Sequence, residues 1–218
     1  MRKIAILIDC FNTSISQINE SNSNELSKID QKIAVSRDCL SELRNIIRND
    51  KFPSPKDEIT YFKSQKPLIL GKLGYYRKQK EFLLEKPIIS ISKQKESILN
   101  ELNRMDCENV KSFEFIKYYR LNQDELDHLF FLRGNNFEMF LISPHQNHDP
   151  EFSTQHDYMV ANIITNDLLL KFYNKQIQHL NRNDSNIVAE EILHPSICEI
   201  TWKANVNELI ELTKGIET

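Results

Sequence analysis

The sequence predicts a mainly α domain built as a multi-helix bundle. Three observations carry that prediction. Apolar residues recur three and four positions apart through most of the chain, the period of one helix face. Only four of the 218 residues are glycine, which disfavours Gly-rich β architectures and Gly-rich nucleotide loops. Hydrophobic residues make up 40% and charged residues 27%, a globular balance rather than a disordered one. A chain of this length is one large or two small domains and can bury a sizeable core.

Residues 3–20 predict an opening helix with Ile4, Leu7, Ile8, Phe11, Ile15 and Ile18 along one side. Ser21 to Asn24 is a polar break, and Asn24 can cap a second helix over 24–48. That helix carries Leu26, Ile29, Ile33, Leu40, Leu43 and Ile47 on one stripe. Phe52-Pro53-Ser54-Pro55 is a boundary, because proline disfavours helix in the residue before it. Ser54 then caps a helix over 55–66 with Pro55 at its first position, and Pro67 should end or kink it. Further helices are predicted at 70–85, 93–105, 112–121, 123–133 and 155–180. Ile98, Leu99 and Leu102 should face inward, and Phe113, Ile116, Tyr119 and Arg120 fall near one helix face. Asn122 with Glu125 reads as a capping box, Gly134 as a helix stop, and Thr154 with Asp157 as a second capping box. Phe137, Met139 and Leu141 alternate, a weak signal for a short strand pair. The chain therefore divides into an N-terminal helical pair (1–52), a helical core (53–180) and a C-terminal tail (181–218).

The formal net charge of −3 rules out a whole-protein basic field, so any nucleic-acid surface must be a local patch. Cys10, Cys39, Cys107 and Cys198 are scattered with no CxxC, which predicts reduced core thiols rather than zinc or disulfides. The apolar run Ile4 to Ile8 is too short for a signal-peptide core, and no run approaches the roughly 20 apolar residues of a membrane span. A cytoplasmic protein without membrane attachment is expected.

The segment from Lys63 to Lys80 holds six cations and no acid: Lys63, Lys66, Lys72, Arg77, Lys78 and Lys80. It can meet phosphates, or it can be a solvated helix face packed through Leu68, Leu73, Tyr76 and Leu83. Arg120 and Arg133 lie near Asp124 and Asp127, which suggests a salt-bridge network; an effector or phosphate site using the same arginines is the alternative. His145, His148, Asp149, His156 and Asp157 cluster in sequence but lack a metal-ligand spacing, so no metal is expected. No GxSxG, Walker loop or dinucleotide fingerprint occurs, and neither an enzyme nor a cofactor is predicted.

Several blocks nevertheless form a pattern. Glu58-Ile59-Thr60-Tyr61-Phe62-Lys63-Ser64-Gln65-Lys66-Pro67 is followed by Gly71-Lys72-Leu73-Gly74-Tyr75-Tyr76. Tyr118-Tyr119-Arg120 precedes Leu126-Asp127 and Phe130-Phe131-Leu132-Arg133-Gly134. Phe152-Ser153-Thr154, Asp157, Ala161 and Ile163-Ile164 close the series. Over residues 55–180 this resembles the RteC family. The resemblance implies a regulator from Bacteroides-type bacteria, linked to tetracycline-inducible excision of conjugative transposons. It implies activation of excision genes by binding upstream double-stranded DNA through winged-helix-like parts, with a recognition helix in a major groove. It brings no catalytic residues.

Longer family members continue past the Trp202 region, and residues 181–218 carry seven acids against three bases, a net −4 and the wrong sign for a DNA-binding wing. Three functions are therefore in view: a transcriptional regulator of excision genes, a helical interaction module without its own DNA reader, and a small-molecule sensor using Arg120 and Arg133.

Overall fold

The computed structural model describes residues 2–86, 88–134, 151–154 and 156–193, with residues 183–193 given by their backbone alone. Helix α1 spans Arg2–Glu20 and α2 Glu25–Asn49. The apolar stripes do as their period demands: Ile4, Phe11 and Ile15 of α1 and Ile29, Ile33, Leu43 and Ile47 of α2 are buried. Asn24 caps α2, its side chain accepting from the Ser27 amide at 2.7 Å.

Next come α3 (Pro55–Thr60), a π turn (Tyr61–Gln65) and α4 (Lys66–Glu85), one unbroken helical rod. Ser54 caps α3 and Pro55 opens it. Pro67 neither ends nor sharply interrupts this rod. Proline lacks an N–H, so the carbonyl it would bind in a regular helix loses its donor. The helix widens one turn earlier, where the Lys66 amide reaches back to the Tyr61 carbonyl.

Helix α2 packs against both α1 and α4, so the N-terminal pair shares one core with the rod. Residues 1–178 form one compact unit and 179–218 another. Tyr61, Phe62 and Phe131 are wholly buried in the first. The two phenylalanines each contribute roughly 1.5–3 kcal/mol of apolar burial.

Ile88 to Ser90 is a turn, and Ser90 caps α5 (Ile91–Lys111), which is longer than its apolar pattern suggests. Only Ile98, Met105 and Gln94 of α5 are buried; Leu99 is exposed. Polar residues 106–111 stay helical because this rod has a wide solvent side. In α6 (Phe113–Arg120) the inward face is Phe115 and Tyr118, and Phe113 is exposed.

Asn122 is not an N-cap. It sits at φ +52°, its amide binds the Tyr119 carbonyl, and the Gln123 amide binds the Tyr118 carbonyl. That is the left-handed closing turn of α6. The helix expected over 123–133 shrinks to α7 (Asp127–Phe130), because Asp127 is drawn into an internal ion pair and Phe130 and Phe131 both pack inward.

Helix α8 runs Asp157–Leu193, past the end at residue 180 that the sequence predicts. It packs on α4 at two glycines. A methyl at Gly71 would lie 2.8 Å from the Ala161 carbonyl oxygen and from Ile164 Cβ; one at Gly74 would lie 2.8 Å from Thr165 Oγ1. Thr165 Oγ1 lies 2.9 Å from the carbonyls of both Gly71 and Ala161, which share its one hydroxyl proton.

The described residues contain no strand, so the strand-pair and winged-helix-like options are not supported. The alternating residues 137–141 lie outside the described residues. Cys39 is buried, but Cys10 and Cys107 are exposed rather than core thiols, and Cys198 lies outside the described residues. No helix among the described residues is long and apolar enough to cross a membrane.

Candidate functional site

The π turn sets the site. It turns Lys63 and Lys66 toward the interior, against residues far away in sequence. Lys66 Nζ donates to the Asp157 carboxylate, to Ser153 Oγ at 2.9 Å and to the Phe152 carbonyl at 2.5 Å. An ammonium has three donors, and these partners use all of them. The two side chains are 4% and 1% exposed. The ammonium also lies 4.4 Å from the Phe152 ring centre, a cation–π contact in a desolvated setting. Burial pushes the Asp157 carboxyl above the usual carboxylate range; Lys66 and the amides of Tyr158 and Thr154 act against that rise. Thr154 Oγ1 accepts from the Asp157 amide at 3.2 Å, so this stretch caps α8 while its acid anchors α4.

A second pair lies one turn away. Lys63 Nζ meets Asp127 Oδ1 and Oδ2 at 2.7 and 2.9 Å and the Gln123 carbonyl at 2.7 Å. Tyr118 donates its hydroxyl to Asp127 Oδ1 at 2.7 Å, and burial, then that bond, raises the phenol's pKa. Arg133 completes the set. Its Nε donates to Glu58 Oε1 at 2.6 Å, a terminal nitrogen donates to the Glu151 carbonyl at 2.7 Å, and the guanidinium stacks over Phe52 and Phe62. Three cation–carboxylate pairs thus tie α3, the π turn and α4 to residues 118–133 and to the start of α8. Such charges rigidify a core when every donor and acceptor is used.

The other cations of the basic segment lie further along α4. Lys72 is half-buried, 5.2 Å from the Phe11 ring centre and 3.2 Å from Asn12 Oδ1. Lys78 pairs with Glu81 at 3.1 Å and reaches Glu101 at 3.8 Å; Lys80 pairs with Asp30 at 2.6 Å. Arg77 is exposed and forms no ion pair with a described residue. Arg120 meets Asp167 of α8 at 2.7 Å on the surface. Neither arginine of the suspected network uses Asp124 or Asp127; their partners come from other helices.

His145, His148 and Asp149 lie outside the described residues. His156 stacks on Phe130 and Phe115, with ring centres 4.1 and 4.9 Å apart, and burial lowers its pKa to about 4. Among the described residues no group of His, Cys, Asp and Glu is placed to hold a metal ion. Sequence reasoning missed the pairing of Lys66 with Asp157 and of Lys63 with Asp127. The available signal was the placement of both lysines just before Pro67, where a distorted turn is required.

Residues 60–218 match the protein family described as RteC protein. No curated protein and no solved structure matches the chain. The residues that form the buried pairs and the close α4–α8 crossing are those of the blocks quoted above: Lys63, Lys66, Gly71, Asp127, Arg133 and Asp157. With well over half of its length inside the match, the chain belongs to the RteC family.

Proposed function

We propose that this chain regulates transcription of the excision genes of a conjugative transposon, and that it does so by binding upstream duplex DNA. Family membership supports a role linked to the regulation of excision, and the match over residues 60–218 is the observation that carries it. Induction by tetracycline is proposed on the same ground. We assign the chain no catalytic step and no cofactor.

The duplex contacts we propose fall on α4. Arg77 is exposed, and the closest pairs of Lys78 and Lys80 are to the exposed acids Glu81 and Asp30, pairs that contribute little in water and can yield to phosphate. Lys72 precedes them on the same helix. A second reading has its own observation: Lys63 and Lys66 are turned inward, so two of the six cations serve the core instead. A helical interaction or sensor module without its own DNA reader would look this way. A gel shift with the promoter regions of the chain's own element, at several salt concentrations, separates the two. Retardation that weakens steeply with salt supports the first; no retarded duplex at low salt supports the second.

A further inference from the structure

A groove of about 430 Å³ runs between α4, α5 and α8. Leu73, Ala161 and Leu169 line it from buried positions, Leu70 adds a half-buried apolar edge, and Gly74 adds no side chain. Small-molecule sites have this volume range and this mixture of apolar wall and few polar groups.

The charges on the lining do not balance. Arg77, Lys78 and Arg104 stand against Glu81 and Glu108. Both acids are taken: Glu81 pairs with Lys78 at 3.1 Å, and Glu108 pairs with Arg104. Glu101, outside the lining, is taken as well, by Arg104 at 2.8 Å and by Lys78 at 3.8 Å. Arg77 is left without an ion pair or a hydrogen bond to any described residue. Asn162 and Asn166, one turn apart on α8, line the groove with side-chain amides that are likewise unpaired among the described residues. The groove thus presents one uncompensated guanidinium and two amides beside an apolar wall. A guanidinium takes a planar carboxylate in a fork, and an amide can serve a donor or an acceptor.

We propose that this groove binds a small organic monocarboxylate with an apolar body, its carboxylate on the Arg77 guanidinium and its body along Leu70, Leu73 and Leu169. The amides of Asn162 and Asn166 hydrogen-bond neutral polar groups on that body. A cationic or neutral head would leave Arg77 without a counter-charge. Arg77 is also a proposed duplex contact, so where the DNA-binding reading holds, ligand and phosphate share that guanidinium; binding of the carboxylate itself does not rest on that reading.

The test is calorimetric titration of the full chain, without DNA, so that its failure is distinguishable from a failure of the DNA-binding proposal. The probes are indole-3-propionate, the neutral indole-3-propionamide of the same shape, and inorganic phosphate, an anion with no apolar body. Saturable binding of indole-3-propionate is expected at a Kd of roughly 1 mM or below. The amide should bind about tenfold more weakly, the worth of one charge-assisted contact, and phosphate should also bind more weakly than the acid. Arg77→Gln should weaken the acid about tenfold and leave the amide unchanged, a split that a general loss of structure does not produce. Arg77 is exposed, so the variant should keep its melting temperature, and the comparison of acid with amide on the parent stands without it. Absent saturation by indole-3-propionate, equal binding of the amide or of phosphate, or an Arg77→Gln variant that binds the acid undiminished or weakens both indoles alike overturns the proposal.

Discussion

Lys66 and Asp157, 91 positions apart in sequence, form an ion pair from which water is almost entirely excluded. Burying two charges is costly, and their attraction offsets that only with good geometry and full hydrogen bonding. Here both are present: three acceptors for the ammonium, and backbone amides on the carboxylate. The pair fixes where α8 begins relative to α4.

Breaking the pair from one side should therefore be severe. Lys66→Met leaves a buried carboxylate without its counter-charge and should cost about 3–5 kcal/mol in denaturant unfolding. Adding Asp157→Asn removes the orphaned charge and should recover a large part. A loss below about 1 kcal/mol for the single variant would mean the pair is not buried in solution.

The two glycines on α4 should respond unequally to alanine. Gly71→Ala meets a backbone carbonyl that cannot rotate away, and overpacking of this kind costs about 1–3 kcal/mol. Gly74→Ala meets the Thr165 side chain, which can turn, and alanine gains up to about 1 kcal/mol of helix propensity. Thermal melts should rank Gly71→Ala well below Gly74→Ala. Equal melting temperatures would place α8 further from α4.

His156 should make the fold acid-sensitive. Its folded pKa of about 4 lies below the ordinary 6.5, so the native state binds fewer protons than the unfolded chain. Its contribution is present above pH 6.5 and lost as pH falls toward 4. Between pH 7 and pH 5 this amounts to about 2 kcal/mol. Its Nδ1 is buried and has no hydrogen-bond partner among the described residues, so Phe can replace the ring at pH 7 with little loss. Urea melts of His156→Phe at the two pH values should show that much less acid destabilisation than the parent. An unchanged pH dependence would put the imidazole in water.

Some of this was legible in the residues and some could not be. The stripes of α1 and α2 follow a helical period, and Ser54, Asn24 and Thr154 are capping residues that cap. Asn122 was ambiguous in principle, since asparagine suits both an N-cap and the left-handed closing turn it adopts. Lys63 and Lys66 read as members of a basic run because burial depends on partners 64 and 91 positions away. Gly71 and Gly74 signalled a helix crossing only once Ala161 and Thr165 were seen opposite them.

The most direct test of the account is a salt-dependent gel shift that compares the parent with Lys72→Ala, Arg77→Ala and Lys78→Ala combined. Each phosphate contact contributes roughly one unit to the slope of log affinity against log salt. The combined variant should bind every duplex more weakly and show a slope flatter by about two to three units. Its preference among promoter sequences should survive, because phosphate contacts position without reading bases. Wild-type affinity with a wild-type slope would contradict the account and leave α4 an ordinary solvated helix.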